Sequence, residues 1–203
     1  MREISHEEIA VTMTLKRFVV HTDPWMLNII GIRSENQKAG KWDDAIIFFR
    51  YNGKSWDWLQ ADATTDPGLY YLQNPMREEG TIIMVPGQYL DLYFRSHHKT
   101  EEAFRQKGSA LYVRDNNRDK YLDLSLMKNP KNIFSADDVY TNLHNAHNTM
   151  EMWRVGKFSA GCQVVNKPED FATGLKWGDE QVEHTGINSF HYTLLLESEL
   201  QTF

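Results

Sequence analysis

The feature that most constrains this chain is a succession of short runs rich in β-branched and aromatic residues, each closed by a turn signal. Ala45 to Tyr51 reads AIIFFRY, Asn52-Gly53 follows, and Ser55 to Gln60 returns. An Asn-Gly pair supplies the positive φ angles of a tight hairpin, so this stretch predicts two antiparallel strands. Val19 to Arg33 repeats the theme, with FVV, a turn at Thr22-Asp23-Pro24, and then LNIIGIR. Gly80 to Tyr93 predicts two strands around Pro86-Gly87. Leu111 to Arg114, Tyr121 to Leu126 and Tyr192 to Leu196 predict three more, and Tyr140 to Leu143 predicts a strand running into His144. The apolar LYYL follows a turn at Thr64 to Gly68.

Helical signals are few. His98 to Lys107 has helical spacing of Ala103, Phe104 and Gln106 among charges. Pro168 to Trp177 opens with a proline and two acidic residues, Glu169 and Asp170, which suit the first turn of a helix. The expected fold class is therefore mainly β, a β-rich α+β chain with two short helices. Break signals are spread evenly, and no repeat or low-complexity linker divides the chain. We expect one domain over residues 1–203, with residues 1 to about 20 as an arm or edge strand.

Composition removes several function classes. The 203 residues hold 22 Lys plus Arg against 28 Asp plus Glu, a formal charge of −6, with no Lys/Arg run. A nucleic-acid binder needs a basic face, so no nucleic-acid partner is expected. The uncharged stretch Gly80 to Leu90 contains Pro86 and Gly87 and is too short to span a bilayer, so no membrane insertion is expected. The first residues, MREISHEEIAVTM, are acidic where a signal peptide needs a positive start and an apolar run. No export signal is read there.

One cysteine, Cys162, excludes a disulfide framework and a multi-Cys zinc site. It reads either as a small buried hydrophobe or as a nucleophile, and the second needs a histidine within reach. Small residues precede it in Ser159-Ala160-Gly161-Cys162. Such a loop turns tightly and leaves N–H groups to face a carbonyl under attack. His144 and His147 lie upstream, across a loop long enough to fold back, and either is a candidate base. A Cys–His pair is the minimum for thiolate acyl transfer.

These residues carry a resemblance. NLHNA, then SAGC, then KPEDFATGLKW is similar to the signature of the L,D-transpeptidase catalytic-domain family: a His at a strand end, a variable loop, Ser/Thr-His-Gly-Cys, and a helix. ADATTDPGLYYL resembles the turn that precedes that family's catalytic half. NIIGIR, VPGQY, RDNNRD and KFSAGCQV resemble a branch common in tailed-phage genomes. The similarity runs loosely over residues 45–196 and is specific from His144 to Trp177. Two positions depart from the pattern: Ala160 replaces the family's His, and Val164 replaces its Arg or Asn.

The resemblance implies an L,D-transpeptidase-like β-sandwich or barrel. It implies a cysteine acyl-transfer enzyme on peptidoglycan stem peptides, an L,D-peptidase or L,D-transpeptidase, without cofactor or metal. Cys162 would be the nucleophile and His144 the base. Ser159 would support the His by hydrogen bonding, and the N–H groups of Gly161 and Cys162 would stabilise the oxyanion. Gln163 would orient the loop or contact substrate, with His147 as the spare base on the substrate side. The protein would be phage-encoded, made in the host cytoplasm, and would act on the cell wall or travel in a virion with other virion proteins. The alternative is a catalytically silent structural or binding component of a phage particle with the same fold, and a third reading is a cytosolic cysteine enzyme on another amide.

Other motifs give weaker signals. His144-x-x-His147 with His97 or His98 would suggest a metal, but the spacing departs from helical H-E-x-x-H. Asp115 to Asp119 lacks the Gly and Glu of a calcium loop and reads as a polar turn. Trp56, Trp58 and Trp153 read as core packing or as a glycan groove, with Trp153 assigned to the substrate side. His97-His98 reads as a solvated face or a cleft wall.

Overall fold

The computed structural model describes residues 1–98 and 101–201. Its helices and strands are α1 (His6–Leu15), β1 (Asn28–Arg33), β2 (Asp44–Tyr51), β3 (Trp56–Thr64), α2 (Leu69–Gln73), β4 (Thr81–Met84), β5 (Gly87–His98), β6 (Glu101–Gln106), β7 (Ala110–Asp115), β8 (Phe134–Ala136), β9 (Leu143–Asn145), β10 (Gln163–Val165), α3 (Pro168–Thr185) and β11 (Phe190–Leu196). Eight strands close into a barrel in the order β1-β11-β5-β6-β9-β10-β3-β2, and β4-β7-β8 form a second sheet. The fold is mainly β with added helices, as expected.

The β2–β3 hairpin pairs in register from Asp44↔Ala63 to Tyr51↔Trp56. The hairpin forms where the Asn-Gly signal predicts, but over a four-residue turn, Asn52 to Ser55, in which Gly53 alone takes a positive φ. Asn52 Oδ1 accepts from the N–H groups of Lys54 and Ser55 at 3.0 Å each, and Gly53 has φ +88°. One face of β1 points into the barrel with Ile29, and the other buries Ile30 and Ile32 beneath α1. Gly31 has no substitute there, because an added Cβ would lie 2.0 Å from the Tyr192 hydroxyl.

Three departures from expectation have local causes. Residues 1–20 form neither an arm nor an edge strand but carry α1. Ser5 and Glu8 make a reciprocal capping box, and Ile9 and Met13 pack on the barrel. Glu101–Gln106 is a strand rather than part of a helix, because it pairs antiparallel with β5 from Tyr93↔Gln106 to His98↔Glu101. Cross-strand pairing and burial of Ala103 and Phe104 outweigh local spacing; Lys99 and Thr100 lie outside the described residues. Tyr121 to Leu126 is no strand: Tyr121 makes one bridge to Lys38, and a 3₁₀ turn covers Leu124–Lys128.

The C-terminal helix is longer than expected. α3 runs over 18 residues and buries Phe171, Gly174, Gly178 and Gln181 on one stripe. The two glycines let it lie against aromatic rings, with Cβ positions 2.8 Å from Phe48 and 2.9 Å from Phe104. Gly186, with φ +72°, ends it in the left-handed cap that glycine favours. The apolar LYYL becomes the short helix α2. With α1, the helices number three among the described residues, not two. None is long and apolar enough to cross a membrane.

Pro86-Gly87 does separate two strands, but they enter different sheets. The chain leaves the small sheet at β4 and enters the barrel at β5. The small sheet is thereby packed against the barrel core through Met84, Tyr112 and Phe134. Its β4 edge faces the loop that carries Cys162.

Candidate active site

Cys162 directly precedes β10, and His144 is the middle residue of β9. These strands are parallel neighbours, with Val164 opposite His144 and Gln163 opposite Leu143. Leu143 and Val165 point into the core. Side chains alternate along a strand, so His144 and Cys162 project from the opposite, outer face. Both line one cleft of ≈ 400 Å³, whose walls also include Ile82 of β4, Arg114 of β7 and His98 at the end of β5.

The cysteine loop is held from within. Ser159 is fully buried. Its Oγ donates to the Cys162 carbonyl at 2.8 Å and accepts from the Gly161 N–H at 3.1 Å. Gly161 sits at φ +126°, and a Cβ there would meet Ile82 Cγ1 at 2.6 Å and the Ile82 carbonyl at 3.0 Å. Only glycine takes this backbone without strain. The Cys162 thiol donates to the carbonyl of Tyr140 at 3.5 Å, and Tyr140 itself has φ +57°. A non-glycine residue in that region is a local strain held by its surroundings.

His144 has a defined proton arrangement. Its Nδ1 lies 2.8 Å from the Asn145 carbonyl. A carbonyl only accepts, so Nδ1 carries the hydrogen and Nε2 keeps the lone pair of a base. The His98 ring stacks on it, centroids 5.3 Å apart and planes 17° apart. His98 Nδ1 is 2.9 Å from Asn142 Nδ2, an amide that only donates, so neutral His98 carries its hydrogen on Nε2.

A buried polar network supports this pair from below. Asn142 Oδ1 accepts from the Gln106 N–H at 2.9 Å. Gln106 Oε1 accepts from the Thr141 N–H at 2.8 Å and from its hydroxyl at 3.1 Å. Thr141 Oγ1 meets the Tyr112 hydroxyl at 2.5 Å, and Tyr93 donates to the Thr141 carbonyl at 3.1 Å. Burial pushes both Tyr112 and Tyr93 well above the phenol range, so both stay neutral donors. Saturated networks of this kind fix side-chain positions.

A second buried cluster lies behind the loop. Asp44 accepts from the N–H groups of Ser34 at 2.8 Å and Thr65 at 2.7 Å, and Arg33 pairs with Asp66 at 2.7 Å. Among the described residues Arg33 pairs with Asp66 alone and gives its other donors to Thr65 and the Met84 carbonyl, so Asp44 is buried beside that pair without a cation of its own. Burial, reinforced by the Asp66 charge, raises Asp44 to about 7. The turn that follows is tied to the cysteine loop, because the Gly68 N–H donates to the Ser159 carbonyl at 2.9 Å.

The structure thus brings together Cys162, His144, Ser159 and Gly161, but it revises several roles. Ser159 bonds its own loop, not the histidine. The Gly161 N–H is occupied by Ser159 Oγ and so is not an oxyanion donor in this arrangement. Gln163 is fully buried, accepting from the Tyr192 hydroxyl at 2.8 Å, and so holds the strand rather than facing the cleft. His147 lies outside the cleft lining, its Nδ1 accepting from the Thr149 N–H at 3.2 Å. Trp153 is 78 % exposed beneath the Arg154 guanidinium and also stands apart from the cleft. Val164 is fully buried.

Among the described residues, no three His, Cys, Asp or Glu side chains are grouped to hold a metal. Sequence spacing missed Tyr140, Arg77 and Arg114, which arrive from other parts of the chain, and Lys157, which lies five residues before Cys162 in its own loop. The His97-His98 pair was the one signal for His98, and only the second of the two faces the cleft. Compared with protein-family models, with curated proteins and with solved structures, the chain matches none.

Proposed function

We propose that this chain is a cysteine acyl-transfer enzyme of the L,D-transpeptidase type, acting on peptidoglycan stem peptides. The observation that carries the reading is the shared placement of Cys162 and His144 on one outer face, with His144 Nε2 left as the basic nitrogen. His144 takes the thiol proton, and the Cys162 sulfur attacks an amide carbonyl. The C–S bond forms, the C–N bond breaks, and the imidazolium returns the proton to the departing amine. Water or a second amine then releases the acyl group, giving hydrolysis or a cross-link. Hydrolysis is the favoured outcome, because water needs no acceptor pocket and Val164 is buried where the resembled family has a polar residue. A phage-encoded wall-processing protein, made in the host cytoplasm or carried in a virion, is the setting we propose.

The second reading is a catalytically silent particle component. The engagement of the Gly161 N–H by Ser159 favours it, since that removes one oxyanion donor. Incubation with stem peptides, read by intact-protein and product mass spectrometry beside Cys162→Ala, separates the two. A Cys162-dependent acyl adduct or cleaved stem supports the enzyme, and product mass distinguishes hydrolysis from cross-linking. Folded protein that gives neither, on several stem types, supports the silent component.

A further inference from the structure

The chain carries a net charge of −6, yet the cleft around Cys162 is lined by Arg77, Arg114 and Lys157 against one carboxylate, Asp138. Among the described residues, none of the three cations forms an ion pair. The buried arginines elsewhere are neutralised, Arg33 by Asp66, Arg50 by Asp57 and Glu180, and Arg95 by Glu102 and Asp179, whereas Arg17, Arg105, Arg118 and Arg154 form no ion pair among the described residues but line no part of this cleft. The cleft cations are instead held by neutral groups. Arg114 donates to the Gly80 carbonyl at 3.0 Å and lies over the Phe134 ring at 5.1 Å. Lys157 Nζ sits 4.1 Å from the Tyr70 ring centroid. Carbonyl and ring contacts orient a cation without cancelling its charge.

We propose that these three residues form a carboxylate-binding subsite, so that the acyl donor is an anionic peptide with a free carboxylate near the amide that Cys162 attacks. The inference rests on Cys162 as the reacting thiol, and it deepens the reading above by naming the charge of the substrate. Arg114 is the anchor, since its guanidinium is fixed from two sides and can offer parallel N–H donors to a carboxylate. Arg77 and Lys157 are exposed at the rim and draw the anion in. Asp138 opposes them and sets a limit on the charge accepted.

The test compares iodoacetate with iodoacetamide as alkylating agents of Cys162, followed by mass spectrometry at pH 8. Each reagent loses iodide as the thiolate sulfur forms a bond to its methylene carbon. They differ in a carboxylate against an amide. Cations that favour the thiolate speed both reactions, so the ratio of the two rates isolates recognition of the carboxylate. We expect the iodoacetate-to-iodoacetamide ratio to exceed that of N-acetylcysteine by about tenfold at low salt and to fall as salt rises.

Arg114→Gln should lower the ratio by about threefold, as should Arg77→Gln with Lys157→Gln together. Asp138→Asn should raise it, and Lys54→Gln, in the distant hairpin turn, should leave it unchanged. The rim variants keep the test decisive if Arg114→Gln fails to fold. A ratio equal to that of N-acetylcysteine, or one indifferent to all these variants, overturns the subsite, as does a thiol that neither reagent reaches. A raised, Arg114-dependent ratio without turnover of stem peptides leaves the subsite standing and sinks the peptidoglycan reading instead.

Discussion

Two hollows of nearly equal volume open on this molecule, ≈ 400 Å³ at Cys162 and ≈ 410 Å³ beside α1, and they differ in kind. The second is walled by Ile9, Val20, Phe49, Trp56 and Trp58, with the His6 ring tilted against Trp58 at a centroid distance of 4.1 Å. It is the space left where a ten-residue helix covers β2 and β3. The first gathers a thiol, two imidazoles, three cations and two backbone positions in the left-handed region. Size does not separate them. What separates them is that one is lined mainly by apolar and aromatic side chains and the other by nucleophilic, titratable and charged ones, with a buried polar network beneath its two imidazoles.

The contrast can be broken most directly at the thiol. Cys162→Ala should abolish turnover of stem peptides, a loss on the order of 10⁴-fold or more, with the melting temperature almost unchanged. Comparable turnover in that variant would erase the distinction between the hollows. His144→Ala should cost about 10²–10⁴-fold in rate, and His147→Ala far less, because of the two His144 lines the cleft and His147 does not. The reverse order in steady-state kinetics would move the base to His147.

Gly161→Ala tests whether the loop geometry matters as well as the groups. The positive φ and the contact with Ile82 should cost roughly 1–3 kcal/mol in denaturant unfolding, together with most of the activity. The pH dependence of stability tests the support behind the loop. Folded Asp44 keeps its proton to about 7, whereas an unfolded Asp releases it at about 4. Between those values the folded state binds more protons, so this group makes stability fall as pH rises from about 4 to about 7, and contributes no slope outside that window. Thermal melts across the window should show that decline, and Asp44→Asn should flatten it. The smallest effect is expected in the second hollow. Half-exposed Trp56→Ala should lower stability by about 1 kcal/mol or less and leave turnover unchanged. A marked loss of activity there would mean that the aromatic groove takes part in substrate binding.

Legibility in the sequence followed the range of the interaction. The β2–β3 hairpin was readable because a run of β-branched and aromatic residues and an Asn-Gly turn are local signals. The start of α3 was readable from Pro168 and its acidic neighbours, while its extension to Thr185 depended on glycines fitting Phe48 and Phe104. Ser5 and Glu8 are a local signal for α1, but the mixed polar and apolar HEEIAVTMTL gives no clear helical stripe beside it. Strand β6 was misread because helical spacing of Ala103, Phe104 and Gln106 competed with pairing to β5, and the pairing won. At the site, Cys162, His144, Ser159 and Gly161 could be picked from one segment, though two of their roles could not.

From residue order alone, then, came a mainly β chain, a lone thiol behind small residues and a histidine at the end of a strand. These follow from local propensity and from which side chains can ionise or attack. Tertiary structure decided that β9 and β10 lie parallel and side by side, placing His144 and Cys162 on the same face. It turned Gln163 inward, kept His147 and Trp153 away from the cleft, and brought Arg77, Arg114 and His98 to it from distant segments, beside Lys157 of the cysteine loop itself. Strand order and sheet packing join residues far apart in the chain, and that free energy is shared across the whole core rather than written in any one window of sequence.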